Sequence, residues 1–340
     1  MRHLAAAAAL VVGLGLLCAY SVEAQSDPTS ALGGSTVLGL GIDSVEAMAT
    51  VDSNNVDSSA IGSVVPEHRG NPGLERETVC ALPIRYGRLA LVGGTLTGTM
   101  IAIHIYQQNG WWKDNRAAFH FQEDLNYGLW VDKIGHFYGA SVEAFIATKA
   151  FRWADVPEGP ALWLGSGTSL LFQSYIEIQD GFSAWGFDRV DFAFDVAGAA
   201  WPLAQHYVPP LRNVDLKLSY HPSPLLNNPG GVGFQGQQHL VMDDYEGQTF
   251  WLSVKMNNIL PPNIESIWPD FLCLAVGYGA RDITGQPYSV QYIGLDLDMT
   301  KVIPDDTWFL KTLGQALNFI RLPLPAVRIY PDVVWYGLYF

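Results

Sequence analysis

The feature that most constrains the fold is a change in the spacing of apolar residues at Pro209-Pro210. Before this pair, apolar residues recur at intervals near four, which is the spacing of buried or amphipathic helices. After it they alternate with other residues, which is typical of half-buried strands. Because two prolines end a helix, the change marks a boundary. The chain is therefore predicted to be an α+β protein, a small helical bundle with apolar helices followed by an antiparallel β region.

Composition along the chain divides it into four segments. They are a signal peptide at 1–24, a low-complexity linker at 25–84, a helical module at 85–208 and an antiparallel β region with one short helix at 209–340. The linker is rich in Ser, Asp, Gly and Asn and has few large apolar residues, so it cannot build a core of its own. We therefore expect the folded core to form from the helical and strand segments beyond residue 84.

The N-terminus has the parts of a secretory signal. Arg2 and His3 form a short basic start, residues 4–18 are apolar or small, and Val22 and Ala24 occupy the −3 and −1 positions of a cleavage site. We predict cleavage after Ala24 and export to the bacterial cell envelope, either the outer membrane or the periplasm. A retained membrane anchor is the alternative.

Cysteine usage bears on the same compartment. Export places the protein in oxidising surroundings, where only Cys80 and Cys273 remain after the predicted cleavage. They either form one disulfide or remain two buried thiols. We favour the thiols, because a core this apolar does not need a crosslink.

The charge balance excludes one class of partner. The chain is 49% apolar and 15% charged, with 33 acidic and 19 basic residues and a net charge of −14. A nucleic-acid-binding surface needs basic patches that neutralise phosphates. We predict no nucleic-acid partner and expect a membrane or envelope lipid instead.

The periodicity places the individual elements. Helices are predicted over 89–106, 127–153, 160–178 and 189–206, with a short amphipathic helix over 306–320. Alternating residues over 250–257, 272–279, 292–299 and 333–340 predict strands. These strands either form an ordinary sheet packed on the helices or present their apolar side chains to lipid. Five or six strands are too few to close an outer-membrane sheet, which needs about eight, so we favour the ordinary sheet with envelope association.

The few charges in the helices lie in stripes. Spacings of three and four place polar residues on one face of each of three apolar helices, and such faces must converge or meet water. The candidate polar cluster comprises Asp132, Lys133, His136, Glu177, Asp180, Arg189, Asp191 and Asp195. Two interpretations stay open: a structural cluster that sets helix register, or a ligand or catalytic site.

The second interpretation involves metal or acid–base chemistry. Carboxylates and imidazole bind divalent metals, and His136, Glu177 and Asp191 are the candidate ligands. Neighbouring carboxyls can also form a general acid/base pair. No cofactor is certain from the sequence, a divalent metal being the one candidate. Phosphate-loop, GxSxG, CxxC and HExxH motifs are absent from the sequence.

The same residues carry a family resemblance. Asp132-Lys133-Ile134-Gly135-His136, Glu177-Ile178-Gln179-Asp180-Gly181 and Asp191-(3)-Asp195-(2)-Gly198 resemble the YfiM-like family, bacterial envelope proteins with a domain of unknown function. Their order is also similar to that of VanZ-like membrane proteins. The resemblance covers about a third of the chain and implies an envelope location and a helical core, but no reaction. Asp195 departs from it, since the family usually has Asn there.

Two functions follow from these observations. The first is an exported cell-envelope protein, structural or amphiphile-binding, with a buried acidic and histidine cluster. The alternative is a metal- or carboxylate-dependent hydrolase acting on lipid or cell-wall material.

Overall fold

The structure of the protein is a computed structural model, which describes residues 83–109, 112–113, 115–226, 241–242 and 244–340. The predicted signal peptide, nearly all of the predicted linker and Cys80 lie outside these residues. The described part is an α+β protein, as predicted, with long helices first and an antiparallel sheet after them. Cys273 is a buried free thiol in the sheet.

Four long helices form the first half of the described chain. They are α1 (Tyr86–Asn109), α2 (Val131–Trp153), α3 (Glu158–Gly181) and α4 (Arg189–Tyr207). The start of α2 differs from the predicted residue 127. Gly128, Leu129 and Trp130 have φ angles of 60°, 49° and 73°, and a left-handed backbone cannot continue a right-handed helix. A separate 3₁₀ turn therefore precedes α2.

Small residues bring α2 close to its two neighbours. A Cβ atom at Gly198 of α4 would overlap the backbone carbonyl of Phe137, and one at Gly165 of α3 would lie 2.7 Å from the carbonyl oxygen of Ala144. Ser141 adds a hydrogen bond, its Oγ donating to the Gly198 carbonyl oxygen at 3.0 Å. The polar stripes of the three helices consequently face one another across a short distance.

The sheet has six strands in sequence order, each antiparallel to the next. They are β1 (Val214–Tyr220), β2 (Gln248–Lys255), β3 (Leu272–Arg281), β4 (Tyr288–Leu297), β5 (Leu324–Tyr330) and β6 (Val334–Tyr339). In the described connections between them lie three short α-helices: α5 (Pro262–Glu265), α6 (Met299–Val302) and α7 (Trp308–Leu317). The predicted helix over 306–320 corresponds to α7.

The two faces of the sheet are unlike. One face buries Trp251, Tyr292 and Ala275 with the Lys217–Asp296 ion pair, whose Nζ–Oδ2 distance is 2.7 Å. The opposite face carries the alternating aliphatic residues. Helix α2 covers only one end of that second face, where Val131 and Tyr138 pack near Phe250. The strand alternation was predicted, but the more buried residues are the aromatic, small and polar ones.

Candidate functional site

The polar stripes of α2, α3 and α4 meet around the imidazole of His136. One side of the ring faces Asp195 and Glu177, with Nδ1 lying 3.0 Å from Asp195 Oδ1 and 3.8 Å from Glu177 Oε1. The other side faces Asp132 and Asp191, with Nε2 lying 3.8 Å from Asp132 Oδ1 and 3.9 Å from Asp191 Oδ2. Four carboxyls from three helices thus surround one histidine.

Helix positions explain this convergence. Asp132 and His136 are four residues apart on α2, and Asp191 and Asp195 are four apart on α4, so each pair projects from one face. The start of α4 is fixed by Asp188, whose Oδ1 accepts hydrogen bonds from the amides of Val190 (2.7 Å) and Asp191 (3.2 Å). This is the N-cap arrangement, and it orients Asp191 toward the cluster.

Lys133 is the second centre of the site. Its fully buried ammonium lies 3.1 Å from Asp132, 3.3 Å from Asp188 and 3.0 Å from Asp191, and it also pairs with Asp124. Burial alone would lower the pKa of Lys133, but the surrounding carboxylates outweigh burial and hold this pKa above its ordinary value. The ammonium therefore stays charged and ties the starts of α2 and α4 to the preceding loop.

Six carboxyls face only two basic groups in this cluster. The acids are Asp124, Asp132, Glu177, Asp188, Asp191 and Asp195, and the bases are Lys133 and His136. Burial raises the pKa of Glu177 to about 9 and that of Asp191 to about 7. The pKa of His136 is also raised, because its hydrogen bond to Asp195 and the surrounding acids outweigh burial. The excess acid must therefore be balanced by protons or by a cation.

Two residues of the predicted cluster form no ion pair with His136 or Lys133. Arg189 points outward, 67% exposed, and pairs with Glu123. Asp180 accepts a hydrogen bond of 2.6 Å from the indole nitrogen of Trp112, and burial raises its pKa to about 7. The other six members of the predicted cluster, namely Asp132, Lys133, His136, Glu177, Asp191 and Asp195, are brought together.

Sequence reasoning missed several partners. Asp124 and Asp188, which are not members of the predicted cluster, both pair with Lys133. The hydroxyl of Tyr245 donates to Asp132 across 113 residues of sequence, and no local pattern signals such a contact. Glu143 has its own set, accepting from the Gln173 amide at 3.0 Å.

Comparisons with protein-family models, with curated proteins and with solved structures find no match for this chain. A histidine between carboxyls of raised pKa can transfer protons. The same oxygens and imidazole nitrogen can bind a divalent metal, since three sets of three potential ligand atoms lie within 4.8 Å of one another: Asp132/His136/Asp191, His136/Glu177/Asp195 and Asp124/Asp188/Asp191.

Proposed function

We propose that this chain is an exported cell-envelope protein that associates with lipid, as a structural or amphiphile-binding component of the outer membrane or periplasm. The observation that carries the proposal is a row of exposed aliphatic and aromatic side chains across the sheet. Backbone pairing aligns Leu252, Val276, Ile293, Val327 and Trp335 on five successive strands. Of these, Leu252, Val276, Ile293 and Trp335 are between 47% and 66% exposed.

The polarity of the sheet is reversed relative to a sheet in water. Antiparallel sheets in soluble proteins bury their aliphatic face and expose the polar one. Here the aliphatic row is exposed, while Lys217 and Asp296 are buried on the opposite face. Contiguous exposed apolar surface of this kind marks an interaction site, and an acyl-chain environment removes its contact with water.

Helix α3 has the same reversed polarity. Its buried residues include Ser166, Ser169 and Glu177, whereas Trp163 and Leu171 are 60% and 70% exposed. A surface helix in water normally shows the opposite arrangement. The helical module and the sheet therefore both support contact with an apolar phase.

Helix α1 supplies the third support. Its 24 residues are long and apolar enough to cross a membrane, and among them only Val92 is buried. At 1.5 Å per residue the helix extends about 36 Å, against about 30 Å of hydrocarbon. The net charge of −14 gives no attraction to anionic lipid, so the proposed association is apolar and should persist at high salt.

The test combines fractionation with vesicle flotation. The full chain, expressed with its own N-terminus, should sediment with envelope membranes, and the purified protein should float with phosphatidylcholine vesicles at both low and high salt. The double variant Val276→Thr/Ile293→Thr keeps β-branched residues but adds hydroxyls to the row, and its floated fraction should fall. Val333→Thr is the matched control, because Val333 is 78% exposed and lies outside the paired row.

Two results would contradict the proposal. One is recovery of the wild-type protein in the aqueous fraction after cell disruption without detergent. The other is equal flotation of the row variant and the control variant. The alternative, a hydrolase acting on lipid or cell-wall material, requires a group that activates water.

A further inference from the structure

The two sides of the His136 ring are not equivalent. On the Nε2 side, Asp132 and Asp191 both pair with Lys133, and Asp132 also accepts from the hydroxyl of Tyr245. On the Nδ1 side, Asp195 and Glu177 pair with His136 but with no lysine or arginine of the described chain. A cation bound on the Nδ1 side would therefore meet no competing ammonium.

Both acids on that side are buried with unused oxygen atoms. Asp195 is fully buried, and its Oδ2 has no hydrogen-bond partner within the described part of the chain. The side chain of Glu177 is 3% exposed, directs Oε1 at the ring from 3.8 Å, and has no hydrogen bond of its own to any described residue. Burying a polar oxygen without a donor is costly, and burying a charge without a counterion is more so. These unused oxygens point to a cation between them.

We propose that His136, Glu177 and Asp195 bind a divalent first-row transition metal. One potential ligand atom from each of these three side chains lies within 4.8 Å of the other two, and Asp195 Oδ2 is the carboxylate oxygen without a hydrogen-bond partner in the described chain. Metal–ligand bonds of about 2.0–2.2 Å place ligand atoms about 3–4 Å apart, so small side-chain movements complete the site. This set shares His136 and Glu177 with the ligands predicted from the sequence. It contains Asp195 instead of Asp191, because Asp191 pairs with Lys133.

The donor types decide the class of metal. One imidazole and two carboxylates suit Zn²⁺ or Mn²⁺, whereas Ca²⁺ takes six to eight oxygen ligands and Mg²⁺ keeps several waters. The His136 side chain is 22% exposed, which gives the ion a path from solvent. Three protein ligands leave a coordination position for water, as in catalytic rather than structural zinc sites. This inference does not depend on the proposed lipid association.

The test measures metal content and thermal stability of the untagged full-length protein in mild detergent. After chelator dialysis, Zn²⁺ and Mn²⁺ are titrated calorimetrically, with Ca²⁺ as the comparison ion. We expect one Zn²⁺ or Mn²⁺ per chain, at least tenfold weaker Ca²⁺ binding, and a melting temperature that rises with the metal and falls with chelator. Glu177→Gln and Asp195→Asn should each weaken Zn²⁺ binding by a hundredfold or more.

A control variant makes the result specific. Glu143→Gln also converts a carboxyl of the bundle into an amide, but Glu143 accepts a hydrogen bond from Gln173 and is not a proposed ligand. This variant should retain Zn²⁺ affinity within tenfold. Far-UV circular dichroism checks that each variant folds. If one of the two ligand variants, Glu177→Gln or Asp195→Asn, fails to fold, the other still tests the site.

The proposal would be overturned by the absence of stoichiometric Zn²⁺ or Mn²⁺ binding. It would equally be overturned if chelator left the melting temperature unchanged, or if Glu177→Gln and Glu143→Gln affected Zn²⁺ affinity equally. In each of those cases protons, rather than a metal, balance the buried acids.

Discussion

Replacing Lys133 with methionine is the sharpest perturbation of the cluster. Methionine is unbranched and flexible like lysine and only one heavy atom shorter, so packing is largely kept while the buried positive charge is removed. Asp188 retains its hydrogen bonds from three backbone amides, and Asp132 retains Tyr245. The acid that loses most is Asp191, which would then face Asp132 and His136 without the ammonium.

The expected loss of stability follows from these contacts. Removing one partner of a buried ion pair destabilises a protein by about 3–5 kcal/mol, because the remaining charge stays buried. Since domains are stable by only about 5–15 kcal/mol, Lys133→Met should lose a large share of the free energy of unfolding. Lys301→Met, at an exposed lysine of α6, should change it by less than about 0.5 kcal/mol.

Urea unfolding in mild detergent, followed by tryptophan fluorescence, measures these differences. The double variant Lys133→Met/Asp191→Asn should recover about 1–3 kcal/mol, because it removes the acid that the first change leaves uncompensated. The deficit of Lys133→Met should also shrink below about pH 4, where the acids become protonated in the unfolded chain as well. A single variant within 1 kcal/mol of wild type, or a double variant less stable than the single one, would refute the reasoning.

Three further predictions concern other parts of the chain. Burial raises the pKa of Glu143 to about 8, so the native state keeps a proton that the unfolded chain releases near pH 4.5, and stability should fall as pH rises from about 4.5 to 8. Glu143→Gln should remove the part of this slope that Glu143 contributes, at most about 5 kcal/mol, in melting curves recorded across that range. The raised pKa values of Glu177, Asp180 and Asp191 should leave the rest. Gly198→Ala should destabilise the bundle by about 1–3 kcal/mol in urea unfolding, since its Cβ would overlap the Phe137 carbonyl. N-terminal sequencing of the mature protein should begin at Gln25, and an intact Met1 would disprove the cleavage site.

The four long helices and the strands β2, β3, β4 and β6 could be predicted because each repeats one spacing over many residues, whereas β1 and β5 were not among the predicted strands. The spacing of three and four on α2, α3 and α4 also indicated which side chains share a face. Arg189 could have been excluded on the same basis. It is two residues from Asp191, and at about 100° per residue the two side chains point to nearly opposite sides of the helix. Its exposed position beside Glu123 follows from that geometry.

Two other features, the Tyr245–Asp132 contact and the choice of the covered sheet face, could not be predicted from the sequence. The partnership of Tyr245 with Asp132 depends on how the loop before β2 folds over the start of α2, a long-range contact without local periodicity. Alternation showed that each strand has two kinds of face but not which face is covered. That choice depends on where α2 packs, and α2 reaches only the end of the sheet near Phe250.

The reversed polarity of the sheet and the acidity of the cluster have one physical origin. A chain with only 15% charged residues that exposes aliphatic surface has little water-facing area for its charges, so many of them are buried. In the sheet, Lys217 pairs with Asp296, and Arg321 lies over the Trp251 ring. Around His136 six carboxyls face two bases, so the side chains do not balance one another. This excess of acid is left for a mobile ion, either protons or a metal, and the chelator experiment distinguishes the two.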